Sequence, residues 1–129
     1  MKTVELTISG RPIVKKNNKN IFYKDGKINV RSKKSYYDYR KVALQELEML
    51  SYTIGKLEPP YQISYNFNMK GKEDSDIDNM IATINDILQD AGYIINDKLI
   101  ISIGESNKIP GCSDWKTHIK ITDQYAKTH

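Results

Sequence analysis

The sequence predicts an α+β domain in which two helices pack on a central mixed sheet. Three observations predict it. YQISYNFNM (61–69) alternates strictly between apolar or aromatic and polar residues; apolar residues recur at three- and four-residue steps in two other stretches; and 129 residues suffice for one core but not for two. The expected order is strand, ribbon, helix, strand, helix, strand, strand, within a single domain spanning 1–129.

TVELTIS (3–9) puts Val4, Leu6 and Ile8 on one side of a half-buried strand. GRPIVKKNNKN then breaks regular structure with glycine, proline and asparagines. In IFYKDGKINV, Asp25-Gly26 sits between two β-favouring runs, a hairpin signal because glycine accepts the positive φ of such turns. The product is a basic N-terminal β-ribbon. From Lys34 to Leu50, the positions Tyr36, Tyr39, Ala43, Leu47 and Leu50 have helical spacing, and Gly55 with Pro59-Pro60 ends that region.

After the 61–69 strand, KGKEDSD is a loop. Met80, Ile81, Ile84, Ile87, Leu88 and Ala91 then mark a second helix, closed by Gly92. A turn at Asn96-Asp97 leads to LIISI (99–103), and THIKIT (117–122) alternates Ile119 and Ile121; both read as strands. The tail after Asp123 is expected to fray.

Composition, 39% hydrophobic and 28% charged, is that of an ordinary globular chain. No apolar run approaches the roughly 20 residues of a membrane span, and MKTVELTISG lacks the apolar core of a signal peptide, so a cytoplasmic location is expected. Cys112, the single cysteine, excludes a disulfide within the chain and a multi-thiolate zinc site.

The net charge of +4 is unevenly distributed. Arg11, Lys15, Lys16, Lys19, Lys24, Lys27, Arg31, Lys33, Lys34, Arg40 and Lys41 face only Asp25 and Asp38 in their stretch, whereas acids outnumber bases from residue 42 onward. One part of such a chain attracts a polyanion while another holds a cation, although a solvated basic loop gives the same pattern. Within 73–97 lie Glu73, Asp74, Asp76, Asp78, Asp86, Asp90 and Asp97 with no Lys or Arg. Carboxylates gathered this tightly are solvated or are neutralised by something outside the chain, and a metal ion is the obvious candidate.

Asp76 and Asp78, two positions apart in extended chain, point the same way and can converge on a hard cation such as Mg²⁺. Asp at a helix start is also a good cap, so on spacing alone the capping and metal readings both stand. Glu73, Asp74 and Asp90 read as solvated. Asp97 follows a helix of about twelve residues, roughly 18 Å long, which separates it from Asp78 unless the 92–97 connection folds back or a second subunit supplies one carboxylate.

DIDNMIATINDILQDAGYIIND followed by KLI resembles the core motif of the RusA family of Holliday-junction resolvases. That motif has D-x-D-N, a lysine four residues later, an Asp in the helix, a Gly near its end and a D-D pair before an apolar strand. Asp76, Asp78, Asn79, Asp86, Gly92 and Asp97 match it in type and spacing over about 25 residues; the resemblance elsewhere is looser. It implies a homodimeric, Mg²⁺-dependent endonuclease, bacterial or phage-encoded, with Mn²⁺ as a possible substitute, that nicks four-way DNA junctions symmetrically in recombination and repair. It makes Asp76, Asp78 and Asp97 the catalytic, metal-binding carboxylates, supported by Asn79, Asp86 and Asn96.

The basic residues Arg11 to Arg40 would hold backbone phosphates, and Tyr36, Tyr37 and Tyr39 either stack on exposed bases or pack in the core. Trp115 and His118 have no assignable partners. The chain departs from the motif twice: Ala82 stands at the lysine position and Asn96 at the first Asp of the pair. Losing a cation beside the scissile phosphate sets up a competing expectation, a junction-binding homologue that is catalytically weakened or inactive, unless Lys70, Lys72 or Lys98 substitutes. A third expectation is a domain that binds no nucleic acid.

Overall fold

A computed structural model describes residues 1–14, 23–24, 27–28, 31–72 and 75–126. Its elements are β1 (Thr3–Ser9), β2 (Tyr23–Lys24), β3 (Lys27–Ile28), α1 (Arg31–Ile54), β4 (Tyr61–Asn68), α2 (Ile77–Asp90), a 3₁₀ turn (Asp97–Leu99), β5 (Ile100–Ile103), β6 (Asn107–Ile109) and β7 (Lys116–Thr122). The two helices lie on a mixed five-stranded sheet, the expected α+β class.

β2 and β3 pair antiparallel as the expected ribbon, while its Asp25-Gly26 turn lies outside the described residues. β1 pairs antiparallel with β7 and β7 with β4; β4 pairs parallel with both β5 and β6. Because β4 and β5 are parallel, α2 must carry the chain back along the sheet between them. The head of α2 therefore lies at the end of the sheet where β4 finishes.

The alternation read from the sequence is borne out in burial. Tyr61, Ile63, Tyr65 and Phe67 are buried, with Gln62, Ser64, Asn66 and Asn68 on the opposite face. Leu6, Ile8, Ile119 and Ile121 complete the inner face and meet Ala43 and Leu47 of α1 and Met80, Ile84, Ile87 and Leu88 of α2. A fully buried aliphatic side chain contributes roughly 1.5–3 kcal/mol, so the four α2 positions hold that helix down along most of its length. Tyr36 and Tyr39 also enter the core, at 4% and 8% exposure against 51% for Tyr37. Of the three tyrosines weighed as base-stacking groups, Tyr37 alone is on the surface.

α1 runs beyond the expected 34–50 stretch in both directions, because nothing in RSKK or SYTI breaks a helix before Gly55, which turns out at φ +75°. β6 was not expected. The end of the described chain is also tied down, contrary to the expected fraying after Asp123: the Gln124 amide donates to the Glu58 carbonyl at 2.9 Å and the Tyr125 amide to the Pro60 carbonyl at 2.8 Å.

Asp123 itself is buried and accepts from the amides of Lys2 (2.7 Å) and Glu58 (3.1 Å). Burial alone would raise its pKa, but these amides, with the N-terminal and Lys2 charges, hold it below the ordinary carboxylate value.

Candidate active site

The loop from Met69 to Asp76 carries the chain from the end of β4 to the head of α2. Asp76 occupies the N-cap position with extended backbone, φ −64° and ψ 148°, yet its side chain makes no capping hydrogen bond. Asp78 lies in the first turn, and both residues are exposed. The capping reading thus accounts for the position of Asp76 but not for its carboxylate, which stays available. Asp78 gains from the positive end of the helix dipole, and that alone is reason enough for an acid there.

Among the described residues, Lys108 is a cation held close to this head. It stands opposite Phe67 in the parallel β4–β6 ladder and therefore points toward the helix side of the sheet. Its Nζ donates to the Ser75 carbonyl at 2.9 Å, one residue before Asp76. Ala82, where the motif this chain resembles has a lysine, is exposed and four residues beyond Asp78. Of the substitutes named from the sequence, Lys70 and Lys72 are exposed on the loop before the head, whereas Lys98 lies in the 3₁₀ turn next to Asp97.

Asp97 stands with a different set of groups. Its amide donates to Gln89 Oε1 at 3.1 Å, so the 92–97 connection does fold back onto the last turn of α2. Its carboxylate is near enough to the middle of the helix to act on Tyr65, whose hydroxyl donates to Asn85. Burial raises the Tyr65 pKa above its ordinary value; the bond to Asn85 opposes that rise and the Asp97 charge adds to it. Asn85 is seven residues past Asp78, about 10 Å along the axis. Among the described residues, no three His, Cys, Asp or Glu side chains are placed to share one metal ion.

The supporting residues divide similarly. Asn79 is half-buried at the head, but Asn96 is used as the cap of the 3₁₀ turn, accepting from the Lys98 amide at 2.9 Å. Asp86 faces α1, where its charge follows burial in raising the Tyr36 pKa. Asp90, read as solvated, is paired with Arg40 at 2.5 Å, which commits one of the expected phosphate-binding cations to the α1–α2 contact. Arg11 and Lys34 are exposed. Lys24 lies in β2, Lys27 in β3, and Arg31 and Lys33 at the start of α1, whereas Lys15, Lys16, Lys19, Glu73 and Asp74 lie outside the described residues.

A shallow cavity of about 490 Å³ lies elsewhere, on the helix-free face of the sheet, lined in part by Glu5, Ser64, Asn66, Glu105, His118 and Lys120. His118, without a partner in the sequence reading, is oriented there by Thr7 and Asn68, each at 3.2 Å. Size does not make this the reactive site, since neither the Asp76–Asp78 pair nor Asp97 lines it.

Sequence reasoning missed Lys108 because β6 is only three residues long and shows no period of its own. No protein-family model matches this chain, and no curated protein matches it.

Proposed function

We propose that this protein is a divalent-metal-dependent nuclease that acts on nucleic acid through the head of α2. Within that class the reading best supported by the 76–97 motif is a resolvase of four-way DNA junctions of the RusA type, working as a homodimer because paired cuts need two sites. The observation that carries it is the pair of exposed aspartates at the head of α2, Asp76 with no side-chain capping bond and Asp78 in the first turn, with the Lys108 ammonium held on the carbonyl of Ser75, the residue before Asp76.

Exposed carboxylate oxygens with room for water and phosphate fit Mg²⁺ or Mn²⁺, and Asp76 and Asp78 would hold the ion, with Asp97 joining from the same or a second subunit. Such an ion acidifies a water molecule and screens the phosphate. The chain's own groups do the rest. Lys108, held by the Ser75 carbonyl, offers positive charge to the phosphoryl oxygens where the family lysine is absent. Lys70 and Lys72 flank the path of the strand, and the basic stretch from Arg11 to Lys34 binds backbone phosphates without reading sequence.

The test is incubation of the protein with a synthetic four-way junction and Mg²⁺ or Mn²⁺. Paired nicks of like polarity are expected. Junction binding with no cleavage across both metals would instead establish the second reading, a junction-binding homologue, which exposed Ala82 favours. Negligible affinity for any DNA at low salt would remove both.

A further inference from the structure

The only tryptophan in the chain, Trp115, sits where β7 begins, at the same end of the sheet as the head of α2. Its carbonyl accepts from the Gly10 amide at 2.9 Å, which fixes the backbone between the ends of β1 and β7. The Arg11 guanidinium lies over the indole, 5.4 Å from the ring centroid, within the range of a cation–π pair. Gly71 lies beside the ring edge: a Cβ there would be 3.7 Å from Trp115 Cζ2. Trp115 is half-buried; Arg11 on its face, Lys70 and Lys72 on either side of Gly71, and Lys116 next in the chain are exposed, with Asp114 the neighbouring acid.

We infer that the Arg11–Trp115 pair is a stacking platform for an unpaired base of the nucleic acid presented to the α2 head. This inference rests on the nuclease reading above and names the part of the substrate that is recognised. An indole carrying a guanidinium layer offers a flat, polarisable, cationic surface, and a base stacks on either component regardless of its sequence. The surrounding lysines suit the phosphates on each side of such a base. Neither feature suits an intact duplex, whose bases are stacked on one another. The platform therefore favours DNA with bases splayed at a branch, delivered next to the loop that leads into Asp76.

Trp115 is its own reporter. The full chain is titrated, in EDTA so that no cleavage occurs, with a fluorescein-labelled four-way junction and with a duplex of matched length. Anisotropy reads binding and tryptophan emission reads the platform. The junction is expected to change Trp115 emission strongly and the duplex little. Trp115→Ala and Arg11→Ala are each expected to weaken junction binding by about tenfold while leaving duplex affinity within about threefold. Trp115→Phe, which keeps an aromatic face, should retain most of the junction affinity, and it keeps the test decisive if the alanine variant does not fold. Junction binding with unchanged emission, or equal loss for junction and duplex in the variants, overturns the platform and leaves the nuclease reading intact. Absence of binding to either DNA overturns both.

Discussion

The two helices begin with opposite charge. α1 opens on Arg31, Lys33 and Lys34 with no acid in its first turn, and α2 opens on Asp76 and Asp78 with no Lys or Arg along its length. A helix N-terminus carries about half a positive charge, so acids there stabilise and cations destabilise by roughly 0.3–1 kcal/mol each. The head of α2 is what folding alone would favour. The head of α1 carries the opposite charge to the one its dipole favours, and the DNA-binding reading proposed above would give those cations a polyanion to meet. At the acidic head the charge needs no explanation beyond the dipole and the uncommitted Asp76 carboxylate is the feature left over; at the basic head the charge itself is the feature left over, and DNA binding is what would account for it.

The largest effect that would break this division is expected at the acidic head. Asp78→Asn should lower junction nicking by roughly 10²–10³-fold, the several kcal/mol that a carboxylate-held metal contributes. Anisotropy should show junction binding kept or improved, since a negative charge near phosphates is gone. Equal loss of binding would mean that Asp78 is structural. Next in size is Lys108→Ala, expected to cut nicking by about tenfold to a hundredfold with little change in affinity. Ala82→Lys, which restores a cation one turn beyond Asp78, should recover much of that loss in the double variant. No recovery would sever the link between Lys108 and the vacant lysine position.

Why Asp76 and Asp78 could be placed at a helix start from sequence while Lys108 could not be placed near them follows from how each is encoded. Strand β4 and helix α2 carry their periods within fewer than fifteen residues, and Gly92 marks the helix end by type, adopting φ +82°. D-x-D-N is likewise local. Lys108 reaches Ser75 across 33 positions, and only the β4–β6 ladder brings them together. Trp115 beside Arg11, and Asp123 beneath the amides of Lys2 and Glu58, are long-range pairings of the same kind. The placement of Asp97 depended on how six loop residues turn, which no periodicity encodes. Tyr36 and Tyr39 show the converse: helical spacing already placed them in the core, and their basic neighbours made a second role conceivable.

At the basic head the expected effects are smaller and opposite in sign for binding and stability. Lys34→Glu replaces an exposed cation near the start of α1 with the charge the helix dipole prefers, so the fold should gain about 0.3–1 kcal/mol in a urea melt. The same change should weaken DNA binding and flatten the slope of log K against log salt by at least about one. A variant that is both more stable and a poorer binder is what a head retained for a polyanion predicts. Unchanged binding would return α1 to the class of solvated basic surfaces.

The smallest effect sharpens where that basic surface ends. Arg40 is counted by sequence with the phosphate-binding cations, but its guanidinium is spent on Asp90 across the α1–α2 contact, with both side chains about one-third to one-half exposed. A pair this open to water contributes only about 0.2–1 kcal/mol. Arg40→Ala should therefore destabilise the protein by no more than that and leave the salt slope of DNA binding where it was, in contrast to Lys34→Glu. A slope reduced by about one would show that DNA draws Arg40 away from Asp90. The basic head would then extend three turns into α1, and the interhelical ion pair would be a contact of the free protein alone.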